Sequence, residues 1–191
     1  MRNLLSHLTI RTKIIIAFAF VFSCTVGVGL ISIQKLGGVT ANAADVRDNW
    51  LPSVRVLGQL SERVQQLRAL EAAHIFADSD AERATVDADM KATLDALGGF
   101  WKTYEPMISP GEEKRLADEF TRKWDAYLGE HAKLIEISRK NDDKAAAKLF
   151  ETMGSGFAST MKTLDQDAQL NTENGRKAAD DGQVVARSAH I

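Results

Sequence analysis

The sequence between positions 14 and 33 reads IIIAFAFVFSCTVGVGLISI, a run of twenty residues without a charge. As a helix, this run would measure about 30 Å, which is the thickness of the hydrocarbon core of a bilayer. Three basic residues precede it (Arg2, Arg11 and Lys13), and the first acidic residue of the chain is Asp45. Because basic residues in short loops stay in the cytoplasm, we expect the N-terminus to be cytoplasmic and the bulk of the chain to be exported. The predicted organisation is a cytoplasmic N-terminus (1–13), a transmembrane helix (14–34) and an exported domain (35–191).

The N-terminal pattern has an alternative interpretation as a cleaved signal peptide, with Ala41-Asn42-Ala43 as the cleavage motif. The apolar core of a signal peptide usually has about 7–15 residues, and this run is longer. The motif also lies eight residues beyond the end of the run. We therefore expect a retained membrane anchor.

Composition limits the remaining possibilities. About 150 residues follow the anchor, which is the size of one ordinary domain. The net charge is only −2, so no partnership with nucleic acid is indicated. The single cysteine, Cys24, lies inside the apolar run, so the domain has no disulfide framework and no cysteine-based metal site.

After the anchor, apolar residues recur at helical spacing. In the first segment Leu57, Leu60, Val64 and Leu67 follow one another at steps of 3, 4 and 3, the spacing of a face packed against other helices. Pro52 lies within this segment and predicts a kink rather than an end, because the periodicity resumes directly. Polar breaks separate four predicted helices, at about 36–77, 80–105, 110–139 and 142–190.

Two of the breaks carry helix-capping signals. Ser79 and Glu82 have the spacing of a capping box at the start of the second helix. For the third helix we predict Ser109 as the N-cap, Pro110 as the first helical residue and Glu112 as the residue that reaches back to the cap.

The connections between the predicted helices have only a few residues, which favours antiparallel neighbours. We therefore predict an all-α protein, in which a transmembrane helix leads into an antiparallel up-down-up-down four-helix bundle. The fourth helix would return to the membrane face of the bundle. The sequence up to Ile191 contains no second apolar run, so it reads as interrupted before a second membrane helix.

The sequence contains no catalytic or metal-binding pattern, so we predict neither enzymatic activity nor a cofactor. The four histidines (His7, His74, His131 and His190) form no H-E-x-x-H motif and no pair four residues apart. His74 and His131 lie near apolar positions, where most histidines are packing residues. Gly154-Ser155-Gly156 lacks the rest of any phosphate-binding motif and lies in a helical pattern.

The informative polar residues are four arginines of the first predicted helix: Arg47, Arg55, Arg63 and Arg68. The first three are spaced by eight residues and therefore drift slowly along one face, whereas Arg68 lies about 140° around the helix from Arg63. An arginine guanidinium binds a carboxylate through two parallel hydrogen bonds, so these residues are candidate anchors for an organic acid. Ordinary ion pairs with surface carboxylates are the alternative.

Three segments resemble the N-terminal part of bacterial methyl-accepting chemotaxis proteins that have a four-helix-bundle sensor domain. The basic start of the membrane helix reads RTKIIIAFAFVF. Residues 48–60, DNWLPSVRVLGQL, are similar to the first bundle helix of that family. Residues 124–150, WDAYLGEHAKLIEISRKNDDKAAAKLF, are similar to its third helix end, turn and fourth helix start.

The resemblance implies an anchor in the bacterial inner membrane and a periplasmic, homodimeric sensor domain (35–191). This domain would bind amino acids or organic acids near the dimer interface. The resemblance also implies Arg63 and Arg68 as the main ligand-binding residues, with Arg55 third. A further arginine would be expected where this chain has Ala72, which argues against an α-amino acid as the ligand. A second membrane helix, a HAMP module and a cytoplasmic coiled coil would relay the signal in such a receptor.

Two alternatives remain at this point. The bundle is equally suited to be the input domain of a sensor histidine kinase or a diguanylate cyclase. It is also compatible with an anchored structural bundle that binds no ligand.

Overall fold

The computed structural model of the protein describes residues 9–188, and every regular element in this range is helical. A π-helical turn, Val46–Trp50, precedes the second helix, and a 3-10 turn, Glu105–Met107, follows the third. The predicted fold class is confirmed. The helices are α1 (Ile10–Asp45), α2 (Leu51–Ile75), α3 (Asp80–Tyr104), α4 (Glu112–Arg139) and α5 (Asp143–Ser188).

The chain divides into two units. One comprises Met1–Asp45 together with Lys177–Ile191. Its principal element is α1, in which Ile10–Gln34 is long and apolar enough to cross a membrane, and its side chains are not buried by protein. The other unit is Val46–Arg176, which contains the antiparallel four-helix bundle formed by α2, α3, α4 and α5.

The interior of the bundle consists of two apolar clusters. The predicted packing face of α2 is correct, because Leu57, Leu60, Val64 and Leu67 are each at most 1% exposed. One cluster contains Val56, Leu57, Leu60, Val64, Leu97, Tyr104, Ala117, Phe120 and Leu164. The other contains Leu67, Ile75, Met90, Tyr127, Leu134, Ile135, Ala146 and Met153.

The start of α2 differs from a simple proline kink. Pro52 is the second residue of α2 and has no N–H to donate, and the backbone widens into the π-helical turn immediately before it. This turn places Trp50 against α5, where a Cβ atom on Gly175 would lie 3.1 Å from the Cβ of Trp50. A glycine at position 175 therefore permits the close approach.

The capping box of α3 is confirmed. Ser79 Oγ accepts a hydrogen bond from the backbone N–H of Glu82 at 3.2 Å, and Glu82 Oε2 accepts one from the N–H of Asp78 at 2.9 Å. The N–H of Glu82, an orphan donor of the first turn, is thereby satisfied, and Glu82 reaches back to the residue just before the N-cap.

The predicted cap of α4 is wrong. The helix begins at Glu112, and its N-cap is Gly111, whose φ of +103° is a conformation that L side chains rarely adopt. The residue that reaches back is Glu113, which accepts from the backbone N–H of Ser109 at 2.8 Å. The physical reason is that Glu113 is buried and also bonds to Tyr104, so its position in the core determines where the helix starts.

Candidate functional site

The three arginines predicted to bind ligand lie on α2 but point in different directions. Arg63 and Arg68 border the buried face of the helix from opposite sides, about 140° apart and about 7.5 Å apart along the axis. Arg55 is exposed on the opposite face of the helix. A single chain therefore does not bring the three guanidinium groups together at one point.

Arg68 is held by contacts inside the bundle. Its Nη2 donates to the backbone carbonyl of Phe150 at 2.6 Å, and its guanidinium carbon lies 3.4 Å from the centre of the Phe150 ring. Its Nη1 lies 3.3 Å from Glu71 Oε2 and 3.4 Å from the hydroxyl of Tyr127. With 14% of its side chain exposed, Arg68 joins α2 to α4 and α5 and retains a small accessible surface.

Glu71 is the centre of this polar network. Its carboxylate is fully buried, accepts from the Tyr127 hydroxyl at 2.5 Å and lies 2.8 Å from Nδ1 of His131. Burial, and secondarily the nearby carboxylate, raise the pKa of Tyr127, so the phenol remains a donor. Tyr127, His131 and Arg68 therefore provide partners for the Glu71 carboxylate. Burying this carboxylate without partners would cost several kcal/mol.

Arg63 has a different environment. Its Nη1 donates to Gln66 Oε1 at 2.5 Å. Its Nε is buried and has no acceptor among residues 9–188. A buried cationic donor without an acceptor is costly, and an arriving carboxylate would remove that cost.

Arg47 and Arg55, the remaining arginines of the predicted set, are both exposed. Arg47 forms a two-point ion pair with the adjacent Asp48, at 2.7 and 2.8 Å. Within the described residues Arg55 forms no hydrogen bond or ion pair, so its guanidinium is available to solutes.

The two histidines in the described range make contacts inside the bundle, His131 with Glu71 and His74 with Ser138. His74 is fully buried, and its Nδ1 lies 2.8 Å from Ser138 Oγ. Its Nε2 lies 3.4 Å from Asp87. Burial lowers the pKa of His74, although the charge of Asp87 opposes this effect. No group of metal-ligating side chains occurs in residues 9–188, and His7 and His190 lie outside that range.

A second buried polar cluster joins α3, α4 and α5. The hydroxyl of Tyr104 lies 2.9 Å from Glu113 Oε1 and 2.7 Å from Asp167 Oδ2, and Asn171 Nδ2 lies 3.2 Å from Asp167 Oδ1. One phenolic hydrogen faces two carboxyl groups, so a second proton is needed for both contacts to be hydrogen bonds. In agreement, burial raises the pKa of Asp167 to about 6.

Both clusters escaped the sequence analysis, although a signal was present. Glu71 lies four residues after the buried Leu67, and Asp167 lies three after the buried Leu164. Each carboxylate thus occupies a position where the helical pattern calls for an apolar residue. Such a residue is either a functional group or half of a buried network, and the partners become visible only in three dimensions.

Four aromatic side chains of α3 and α4 form a row along the bundle. Trp101, Phe120, Trp124 and Tyr127 have successive ring-centre distances of 5.2, 6.2 and 5.6 Å. The rings of Trp101 and Trp124 also line a cavity of about 380 Å³ between α3 and α4.

The four antiparallel helices, with their two apolar clusters, define a four-helix bundle. Residues 7–186 match the model of the family described as a four helix bundle sensory module for signal transduction. The chain belongs to this family, whose members act in chemotaxis-type transducers. Among curated proteins it is similar to the sensory transducer protein YvaQ of Bacillus subtilis (strain 168), with 25% identity over 180 residues, which is 94% of this chain. The chain spans about a third (32%) of the length of that relative.

Proposed function

We propose that this chain is the ligand-sensing part of a chemoreceptor and that it binds a small carboxylate through Arg63. One observation carries the proposal: the Nε–H of Arg63 is a buried, charged donor without an acceptor among the described residues. The Arg63 side chain is half-buried, so a rotation of this side chain would bring its Nε–H to an arriving carboxylate, which would accept from it in a charge-assisted hydrogen bond. Membership of a sensory family favours binding over catalysis, and no chemical step is proposed.

The proposed site is completed by a second copy of the chain. The exposed face of α2 carries a row with steps of three or four residues, in which Leu51 is 62% exposed and Phe76 is 77% exposed. A helix that pairs with a parallel copy of itself carries small or apolar residues at this spacing, as Leu51, Gly58, Ala69, Ala73 and Phe76 do here. The row consists of Leu51, Arg55, Gly58, Glu62, Gln65, Ala69, Ala73 and Phe76.

A two-fold axis parallel to α2 would bring arginines of the two subunits to the same side of the interface. Arg63 and Arg68 lie on opposite sides of the exposed row, so the symmetry places Arg63 of one subunit and Arg68 of the partner subunit on the same side of the interface. A ligand with two acidic groups fits this arrangement best, because Arg63 has an Nε–H without an acceptor and Arg68 has a small accessible edge. Arg55 lies in the row itself, about 12 Å from Arg63 along the helix.

Signalling then requires only that the ligand binds two packing states of the dimer with different affinities. A ligand that bridges two subunits stabilises the packing in which both arginines reach it, and it shifts the equilibrium by no more than that difference. A displacement of α5 by about 1–2 Å is within the range of packed helices. In the proposed orientation Arg11 and Lys13 are cytoplasmic, the bundle is periplasmic, and the output module lies outside this chain.

Isothermal titration calorimetry tests the binding proposal. The complete chain in lipid nanodiscs is titrated with succinate, malate, aspartate and acetate. We expect Arg63→Ala to weaken the best carboxylate at least about tenfold, with a smaller loss for Arg55→Ala. Arg122→Ala, a change at an exposed arginine of α4, is the matched control and should bind normally. Equal binding by Arg63→Ala and the unaltered chain would show that the assignment is wrong.

Disulfide cross-linking tests the dimer. Cys24 is first replaced by serine, and a single cysteine is then placed at Ala69 on the exposed row or at Ala132 on the exposed face of α4. We expect cross-linked dimers from Ala69→Cys and none from Ala132→Cys. The opposite result would place the interface elsewhere.

A further inference from the structure

The cavity between α3 and α4 has the properties of a second ligand site. Its volume is about 380 Å³, and its walls are mainly leucines and the rings of Trp101, Phe120 and Trp124. The three rings stand side by side, with centre distances of 5.2 and 6.2 Å. Cavities of this size, apolar with few polar groups, are typical of sites for small organic molecules.

The residues that line the cavity favour a cationic ligand. Among the described residues that line the cavity, Asp125 is the only ionisable one, and Thr121 is the only other residue with a polar side chain. The carboxylate of Asp125 is exposed and forms no ion pair or hydrogen bond with any other described residue. An anion would meet this carboxylate and no compensating cation, whereas an ammonium group would gain both a counter-ion and the faces of tryptophan rings.

Gly98 leaves the cavity open on the α3 side. It is one of the lining residues, and a Cβ atom placed on it would have no atom within 4 Å. Gly99, the next residue of the same helix, has equally free space but does not line the cavity. The two glycines are therefore a matched pair for substitution.

We propose that this cavity binds a small aromatic amine in its cationic form. The aromatic ring lies against Trp101 and Trp124, and the ammonium group lies at Asp125. This site is formed within one subunit, and it is independent of the carboxylate site proposed at Arg63.

The test uses NMR of the indole N–H groups of the complete chain in lipid nanodiscs. The chain has three tryptophans, so single Trp→Phe changes assign the three signals. The probe is 2-phenylethylammonium, with 2-phenylethanol and phenylacetate as neutral and anionic probes of similar size. We expect the signals of Trp101 and Trp124 to shift with a Kd on the order of 1 mM or lower, and the signal of Trp50 to stay unchanged.

Three variants make the assignment specific. Gly98→Leu fills the cavity and should weaken the ammonium probe at least about tenfold, whereas Gly99→Leu should bind normally. Both changes remove a glycine from a helix interior, which favours folding. Asp125→Asn should weaken 2-phenylethylammonium about threefold to tenfold and leave 2-phenylethanol unaffected. Tighter binding of phenylacetate, equal binding by the two glycine variants, or no shift of Trp101 and Trp124 at millimolar probe would each overturn the proposal.

Discussion

Replacing Asp167 with asparagine should remove a pH-dependent contribution to the stability of the bundle. Asp167 is 2% exposed, and burial raises its pKa from 3.8 to about 6. A carboxyl group whose pKa is higher in the folded state binds its proton more tightly there than in the unfolded chain. Its contribution to stability is therefore complete below pH 4 and is lost as the pH rises to about 6. A shift of about two units corresponds to about 3 kcal/mol, as an order of magnitude.

Asparagine reproduces the protonated carboxyl group at every pH. Its amide can donate to the hydroxyl of Tyr104, which then donates to Glu113, so that both contacts become hydrogen bonds. We therefore expect the Asp167→Asn protein to gain stability relative to the unaltered chain as the pH rises from 4 to 8. At pH 8 it should be the more stable of the two by up to about 3 kcal/mol.

The assay is urea unfolding followed by circular dichroism, at half-unit steps of pH. Asp165→Asn is the matched control, because Asp165 is an exposed carboxylate on the same helix, and its effect should stay within about 0.5 kcal/mol at every pH. A difference between the Asp167→Asn protein and the unaltered chain that stays constant from pH 4 to 8 would refute the reasoning.

Further changes test the other structural elements. Glu71→Ala leaves Arg68 buried without its carboxylate and should destabilise the bundle by about 3–5 kcal/mol in a thermal melt; a loss below about 1 kcal/mol would contradict the network described for Glu71. Gly111→Ala forces a side chain into a conformation with φ of +103° and should cost about 1–3 kcal/mol. Gly129→Ala, at an exposed helical position with free space, should instead stabilise by up to about 1 kcal/mol, and equal effects of the two changes would exclude backbone strain at position 111.

Helical periodicity predicted the fold because each apolar step corresponds to a packed face. The spacing from Leu57 to Leu67 identified the interior of α2, and Ser79 with Glu82 identified the start of α3. The start of α4 was predicted wrongly, since the burial of Glu113 is a tertiary effect that local capping rules do not include.

The candidate site was only partly accessible to sequence analysis. The family resemblance ranked Arg63 and Arg68 ahead of Arg55, whereas residue type does not distinguish the three arginines. The structure separates them by environment, because Arg68 contacts the Phe150 carbonyl, Arg55 is exposed, and Arg63 has a buried donor without an acceptor. Such differences depend on neighbouring helices, which the spacing along one helix does not report.

The most direct test of the proposed function observes the Nε–H of Arg63 itself. The complete chain, labelled with ¹⁵N-arginine in lipid nanodiscs, is titrated with the carboxylate that binds most tightly, and an Arg63→Lys protein assigns the signal. We predict that the Arg63 Nε–H signal moves downfield and saturates with the Kd measured by calorimetry, as a charge-assisted hydrogen bond forms. A carboxylate that binds while the Arg63 signal remains unchanged would contradict the central claim.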